Sequence, residues 1–306
     1  MGNVAFIFSG QGAQYPGMGR GLYENSTAAR AVFEIAEKVR PGIVEMIFSG
    51  SEAQLARTEN TQPCVFCVDL ASAAALKEAG VSADMLAGFS LGELAALTFS
   101  GAVTYEDGFR LVCKRAALMQ KASDGIKAAM AAVLKLTDDE VKAVCSEFEG
   151  VYPVNFNCDG QVVAAGIIDE LEKFMRRVKD VGGRTVPLKV GGAFHSPLMA
   201  EASTSFAEVL SSFEIGSPKI PLYSNVTARP YGCIKELLAK QICSPVLWRA
   251  TVENMIQAGA EIFIEAGPGK TLCGLVSRIS DKVRVFNVED CDSLRRTTDG
   301  VRNIRN

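Results

Sequence analysis

The sequence predicts an α/β protein: a mostly parallel, doubly wound sheet with a smaller ferredoxin-like unit inserted into it. Three observations carry that prediction. Outside residues 126–193, short apolar runs alternate with helix-length segments, the pattern of strands and helices layered around a parallel sheet. Within 126–193 the order changes to β-α-β-β-α-β. The stretch Asp84–Glu93 reads as a short apolar strand, a glycine-flanked serine and the start of a helix, a turn found at the carboxyl edge of such sheets. A chain of 306 residues is long enough for one large domain with an insert. Residues 1–125 and 194–286 are expected to form the large domain and 126–193 the small one. The polar, charged residues 287–306 read as a loose C-terminal tail.

Composition narrows the function classes. Hydrophobic residues make up 48% and charged residues 22%, as in an ordinary globular chain, and the net charge is −3. No basic footprint argues for nucleic acid. No apolar run reaches the length of a membrane span. Met1–Ser9 lacks a charged leader and reads as a first core strand rather than a secretory signal. The nine cysteines, an odd number spread through predicted helices and strands, fit a reducing compartment, so a cytoplasmic location is expected. Cys64 and Cys67 form a C-x-x-C inside an apolar helical stretch with no second Cys/His pair at zinc spacing, and are assigned to core packing.

Along the large domain, the first strand runs into the glycine-rich stretch Ser9–Gly19. The dinucleotide template G-x-G-x-x-G fails there, because Tyr15 stands where the third glycine belongs. Gln11 is the polar side chain in this loop expected to face a ligand. Residues 26–40 have helical spacing, with Ser26 as N-cap and Pro41-Gly42 as the stop. Residues 61–79 form a nearly continuous apolar helix, which implies burial. After the serine turn, Thr104 opens a helix from Tyr105 to about Lys121. On it Arg115 is flanked by Leu111, Val112, Leu118 and Met119. An inward arginine needs an anionic partner, and its planar fork suits a carboxylate. A solvated surface arginine is the competing assignment.

The insert reads as a strand at Ala128–Leu134, a helix capped at Thr137, strands at Tyr152–Asn157 and Gln161–Ala165, a helix at Asp169–Val181 and a strand at Arg184–Leu188. Asn155 and Asn157 fall near the domain junction, where ligand clefts form. The large domain resumes with a helix at Pro197–Phe213, a strand at Ile220–Asn225, two further helices and the strand Glu261–Glu265. The following Ala266–Thr271 imitates a P-loop. Ile264 occupies the position of its first glycine, so the segment is read as a plain strand–helix turn.

Ser90 has glycine two residues before and two after it, the G-x-S-x-G of a nucleophile elbow and the turn of an α/β-hydrolase-like core. Such a turn brings backbone too close for a Cβ, holds the serine oxygen out, and sets it at a helix N-terminus whose free N–H groups can stabilise an oxyanion. The chain contains a single histidine, His195. If Ser90 is a nucleophile with an imidazole base, His195 is that base. Each residue alone has an inert alternative, a glycine-rich turn for Ser90 and a structural histidine for His195.

Taken in order, the segments Phe8–Gln14, Gly88–Glu93, Arg115, Asn155–Asn157, Ala193–His195 and Glu265–Lys270 resemble those of malonyl-CoA:acyl carrier protein transacylases of fatty acid synthesis and the related acyltransferase domains of polyketide synthases. The resemblance spans about residues 3–286. It implies Ser90 as nucleophile, His195 as base, and the N–H groups of Gln11 and Leu91 as the oxyanion hole. It implies that Arg115 binds the malonyl carboxylate, and that Asn157 steadies the site from the small domain. A main-chain carbonyl in Pro245–Trp248 would orient the base. Leu91 and Phe194 match the malonyl-type pattern, which implies Phe194 as a substrate-binding residue. The family commonly has histidine before the serine, where this chain has Phe89.

The implied reaction is ping-pong acyl transfer through malonyl-Ser90, from malonyl-CoA as substrate to the phosphopantetheine thiol of acyl carrier protein. The resemblance implies no cofactor and no metal, with the protein acting as a monomer. A serine hydrolase is the main rival from residues alone, since G-x-S-x-G followed by histidine fits it. It calls for an acid to orient the histidine, and no candidate stands out in sequence. A non-catalytic carrier-binding module is the third class.

Overall fold

The computed structural model describes residues 2–188 and 190–305. Two sheets organise it. The first contains β1 (Asn3–Phe8) and β2 (Met85–Gly88). The second contains β3 (Ala128–Leu134), β4 (Val151–Cys158), β5 (Gln161–Ile167) and β6 (Arg184–Pro187). The chain then returns to the first sheet with β7 (Ala260–Ala266) and β8 (Arg284–Val288). The first sheet is parallel, in the order β2-β1-β7-β8. The second is antiparallel, in the order β4-β5-β3-β6.

The central strand β1 is apolar on both faces and almost wholly buried, as a strand covered by helices on both sides must be. Phe6 and Phe8 stack on Phe99, 5.7 and 5.9 Å between ring centroids. The apolar helix expected at 61–79 is Thr58–Glu78 and is buried along most of its length. Ser26, Thr104 and Thr137 cap their helices through the side-chain oxygen, as their positions predicted. Register explains where a site can form. Phe8 pairs with both Gly88 and Ala266, so three neighbouring strands end level. The loops that begin at Ser9, Phe89 and Gly267 leave the same edge of the sheet.

The antiparallel sheet packs its own core, including Val133, Val141, Val162 and Phe174. It is stitched to the parallel-sheet unit at the segment before Trp248. The Phe156 N–H donates to the Val246 carbonyl at 3.0 Å, and the Val246 N–H donates to Val154 at 2.8 Å. Arg249 bridges Asp138 at 2.6 Å and Asp159 at 2.5 Å.

Two expectations are corrected. Residues 220–225 do not form a strand. Leu86 N–H donates to Pro221, and Tyr223 N–H donates to Leu86, giving a single bridge. The chain then folds back, with Ser224 N–H bonded to the Arg229 carbonyl, so the ladder stops. Residues 287–305 are not a loose tail. They complete β8, which the sequence did not suggest, and form a helix at Cys291–Arg305; Asn306 lies outside the described residues. That helix buries Ser293, Thr297 and Val301, one turn apart. Two of these three are polar, so the stripe has no hydrophobic signature. Its contacts include hydrogen bonds such as Thr297 Oγ1 to the Asn287 carbonyl at 3.0 Å.

Candidate active site

The turn after β2 is built on two glycines that cannot be anything larger. A Cβ on Gly88 would lie 2.0 Å from the Gly92 carbonyl group, and one on Gly92 would lie 2.3 Å from the Phe8 carbonyl oxygen. This close approach lets the helix Gly92–Phe99 start directly off the strand end. Between them Ser90 is forced to φ 55°, a left-handed conformation that costs a non-glycine residue about 1–3 kcal/mol. Asn225 holds the turn in place. Its Oδ1 accepts from the Ser90 N–H at 2.8 Å, and its Nδ2 donates to the Gly88 carbonyl at 2.7 Å.

His195 meets Ser90 although 105 residues separate them. Its Nε2 lies 2.7 Å from Ser90 Oγ, and its Nδ1 lies 2.8 Å from the main-chain oxygen of Gln241. A carbonyl only accepts, so Nδ1 carries the proton and Nε2 is free to take one from the serine. The orienting carbonyl therefore belongs to Gln241, not to Pro245–Trp248. Val246 already spends its carbonyl on Phe156. Gln241 ends the helix Ile234–Gln241, where last-turn carbonyls lack intrahelical partners and the dipole is negative. His195 is itself left-handed, φ 63°, and its N–H is pinned to the Ile242 carbonyl. Burial first, and then the Arg115 charge, pull its pKa down to about 4, so the imidazole is a neutral base at pH 7.

Arg115 is buried in the site, as its apolar neighbours suggested. Its guanidinium donates to Gln62 Oε1 and Gln241 Oε1, each at 2.7 Å, and to Ser90 Oγ at 3.3 Å. All three acceptors are neutral. Burial lowers its pKa to about 10, opposed by the nearby charge of Glu93, so it remains a cation at pH 7. A buried cation whose direct partners are neutral oxygens, one of them the serine hydroxyl, is a seat for an anionic group next to that hydroxyl.

Gln11 and Leu91 follow β1 and β2. Neither backbone N–H donates to a protein acceptor among the described residues. The Gln11 side chain turns instead to Thr58 Oγ1, 3.2 Å away. Gln11, Gly12 and Leu188 line both a hollow of about 580 Å³, which Tyr15 and Leu55 also line, and one of about 220 Å³. Phe89, Asn155, Asn157 and Leu275 help line the smaller hollow. Among the described residues, the buried Oδ1 atoms of Asn155 and Asn157 have no protein donor. Phe89, in the place of the family's histidine, packs edge-on against Trp248 at 5.4 Å and takes no part in the polar network. Phe194 lies in the large core cluster beside His195 rather than on the hollow's wall. At the P-loop look-alike, Glu265 Oε2 accepts from the Cys273 N–H at 2.7 Å, placing a protein carboxylate at the helix start.

The structure thus gathers Ser90, His195 and Arg115 around one oxygen. It adds Gln62, Gln241 and Asn225, which sequence reasoning missed. These are single polar residues far apart in the chain, with no local spacing to mark them. The one available signal was burial: Gln62 sits in a helix read as apolar throughout.

Known proteins bear on this geometry. The chain matches the acyl transferase domain family over residues 5–303. It is 37% identical over 303 residues to the malonyl CoA-acyl carrier protein transacylase of Bacillus subtilis (strain 168), covering 96% of each chain. A crystal structure of malonyl CoA-acyl carrier protein transacylase from Clostridium perfringens superposes with a TM-score of 0.95 at 38% identity, covering 99% of this chain and 98% of that one. A type II PKS acyl-carrier protein in complex with its malonyl-transacylase aligns with a TM-score of 0.94 at 32% identity, covering 97% and 99%.

Proposed function

The chain belongs to the acyl transferase domain family, and we propose that it moves a malonyl group from malonyl-CoA to the phosphopantetheine thiol of an acyl carrier protein. One observation carries this reading: Ser90 Oγ lies 2.7 Å from a neutral histidine nitrogen and 3.3 Å from a buried guanidinium. The first contact makes a nucleophile and the second selects an acyl group bearing a carboxylate.

His195 Nε2 takes the Ser90 proton as Oγ attacks the thioester carbonyl. The free N–H groups of Gln11 and Leu91 receive the oxyanion. The tetrahedral adduct collapses, the CoA thiolate leaves with the proton from His195, and malonyl-Ser90 remains. The carrier's thiol then repeats the sequence in reverse: His195 takes its proton, the sulfur attacks the ester, and Ser90 Oγ regains a proton as it leaves. Arg115 grips the malonyl carboxylate through both steps and orients the ester. Asn157, with Asn155, offers hydrogen-bond acceptors from β4. The reaction needs no cofactor beyond its substrates.

The order β4-β5-β3-β6 with antiparallel pairing supports a ferredoxin-like small domain, and the glycine-built serine turn supports an α/β-hydrolase-like core. Among the described residues, no helix is long and apolar enough to cross a membrane. A cytoplasmic monomer, working on diffusible substrates, is the setting this reading adopts.

The test is to incubate the protein with malonyl-CoA with and without holo acyl carrier protein. Malonyl-carrier should form only in the complete mixture, with little free malonate in either. Rapid malonate release without carrier would instead make the protein a hydrolase.

A further inference from the structure

The polar groups behind the serine turn converge on one carboxylate. Glu93, in the first turn of the helix Gly92–Phe99, is fully buried. Its Oε1 accepts from the Asn225 N–H at 3.0 Å and from the Tyr231 hydroxyl, and its Oε2 accepts from the Gln241 amide nitrogen. Gln241 is thereby fixed in one orientation. With Nε2 turned to Glu93 and to the Ser90 carbonyl at 2.8 Å, its Oε1 has to face Arg115.

We infer that Glu93 is a positioning residue for malonyl recognition, its acceptor-only carboxylate setting the Gln241 amide so that Arg115 is held beside Ser90. This rests on the malonyl-transfer reading above. Both Glu93 oxygens must accept. A glutamine there has one oxygen and one NH₂. If the oxygen serves Asn225 and Tyr231, the NH₂ meets the Gln241 NH₂. Gln241 then flips, turning its NH₂ toward the Arg115 guanidinium and its oxygen toward the Ser90 carbonyl, both repulsive. A protonated Glu93 creates the same conflict when the proton sits on Oε2, the oxygen that faces Gln241, because that oxygen then becomes a donor.

The charges around Glu93 separate its titration from the others. Burial raises Glu93 to about pH 7, against the pull of the Tyr231, Gln241 and Asn225 hydrogen bonds and of Arg115. Arg115 titrates near 10, Tyr231 is held well above its ordinary value, and His195 titrates near 4. As pH falls through about 7, Glu93 takes up a proton, and with that proton on Oε2 Gln241 loses its hold. Malonyl acylation therefore declines on the acid side while His195 remains a neutral base.

The experiment measures the rate of Ser90 acylation by malonyl-CoA and by acetyl-CoA from about pH 5 to 9, for wild type, Glu93→Gln and Tyr231→Phe. Wild type should show an acid limb near pH 7 with malonyl-CoA only. In Glu93→Gln that limb should vanish, and the malonyl-over-acetyl ratio should fall by about tenfold or more. Tyr231→Phe removes one hydrogen bond that favours the ionised form, so its limb should move to higher pH. An unchanged ratio and limb in a folded Glu93→Gln protein would overturn the inference. If that variant does not fold, an unmoved limb in Tyr231→Phe would do the same. Failure of wild type to accept malonyl at all would instead reject the functional reading itself.

Discussion

Replacing Arg115 by alanine separates substrate selection from nucleophile chemistry. In the resting site the guanidinium spans the Gln62 and Gln241 oxygens at 2.7 Å each and reaches Ser90 Oγ at 3.3 Å. In the proposed reaction, a bound malonyl carboxylate would gain two charge-assisted hydrogen bonds from it. At about 1.5–3 kcal/mol each, these amount to about 3–6 kcal/mol, or about a hundredfold to ten-thousandfold in preference for malonyl over acetyl. The Ser90–His195 contact does not pass through Arg115, so acetylation of Ser90 should persist. Stability should fall less than selectivity. Two buried amide oxygens lose their donor at about 1–3 kcal/mol each, but a desolvated charge is removed with it. The assay is the initial rate of acyl-enzyme formation with each thioester, read by intact mass, beside a thermal melt. A folded Arg115→Ala protein that kept the wild-type malonyl-over-acetyl ratio would refute the assignment of Arg115.

Three other outcomes follow from the same geometry. Gly88→Ala drives a Cβ to 2.0 Å from the Gly92 carbonyl group, so the turn must open. A cost of about 1–3 kcal/mol or more and loss of acylation are expected, and wild-type acylation in this variant would mean the close approach is unimportant. Because burial lowers His195 to about 4, its neutral form persists well below the ordinary histidine range. Acetylation of Ser90 should therefore hold level down to about pH 5 and drop near pH 4, whereas a drop near 6.5 would place His195 in water. The same shift sets the sign for stability. Between about 4 and 6.5 the unfolded histidine binds a proton that the folded one does not, so stability rises with pH across that window.

Much of this was legible in the chain. The Gly88–Gly92 spacing announces a turn with no room for side chains, and hydroxyl caps at Ser26, Thr104 and Thr137 mark helix starts, because both are local rules. Arg115 could be placed inward because its neighbours at helical spacing are apolar. The orienting carbonyl was misplaced by four residues because backbone acceptors carry no residue-type signal. Only the pairing of Val246 with Phe156 and the end of the helix at Gln241 decide which carbonyl is free. The C-terminal helix was hidden for another reason. Its inward face at Ser293, Thr297 and Val301 is held partly by hydrogen bonds, which no hydrophobic period reveals. Glu93 lay in plain view within the serine motif, yet its partners Asn225, Tyr231 and Gln241 come from more than a hundred residues away.

The central claim is that Ser90 carries the acyl group. Intact-protein mass spectrometry after mixing with malonyl-CoA, without carrier protein, tests it most directly. Wild type should gain the mass of one malonyl group, and Ser90→Ala should gain none. An equal adduct on Ser90→Ala, or carrier malonylation by that variant at the wild-type rate, would contradict the account.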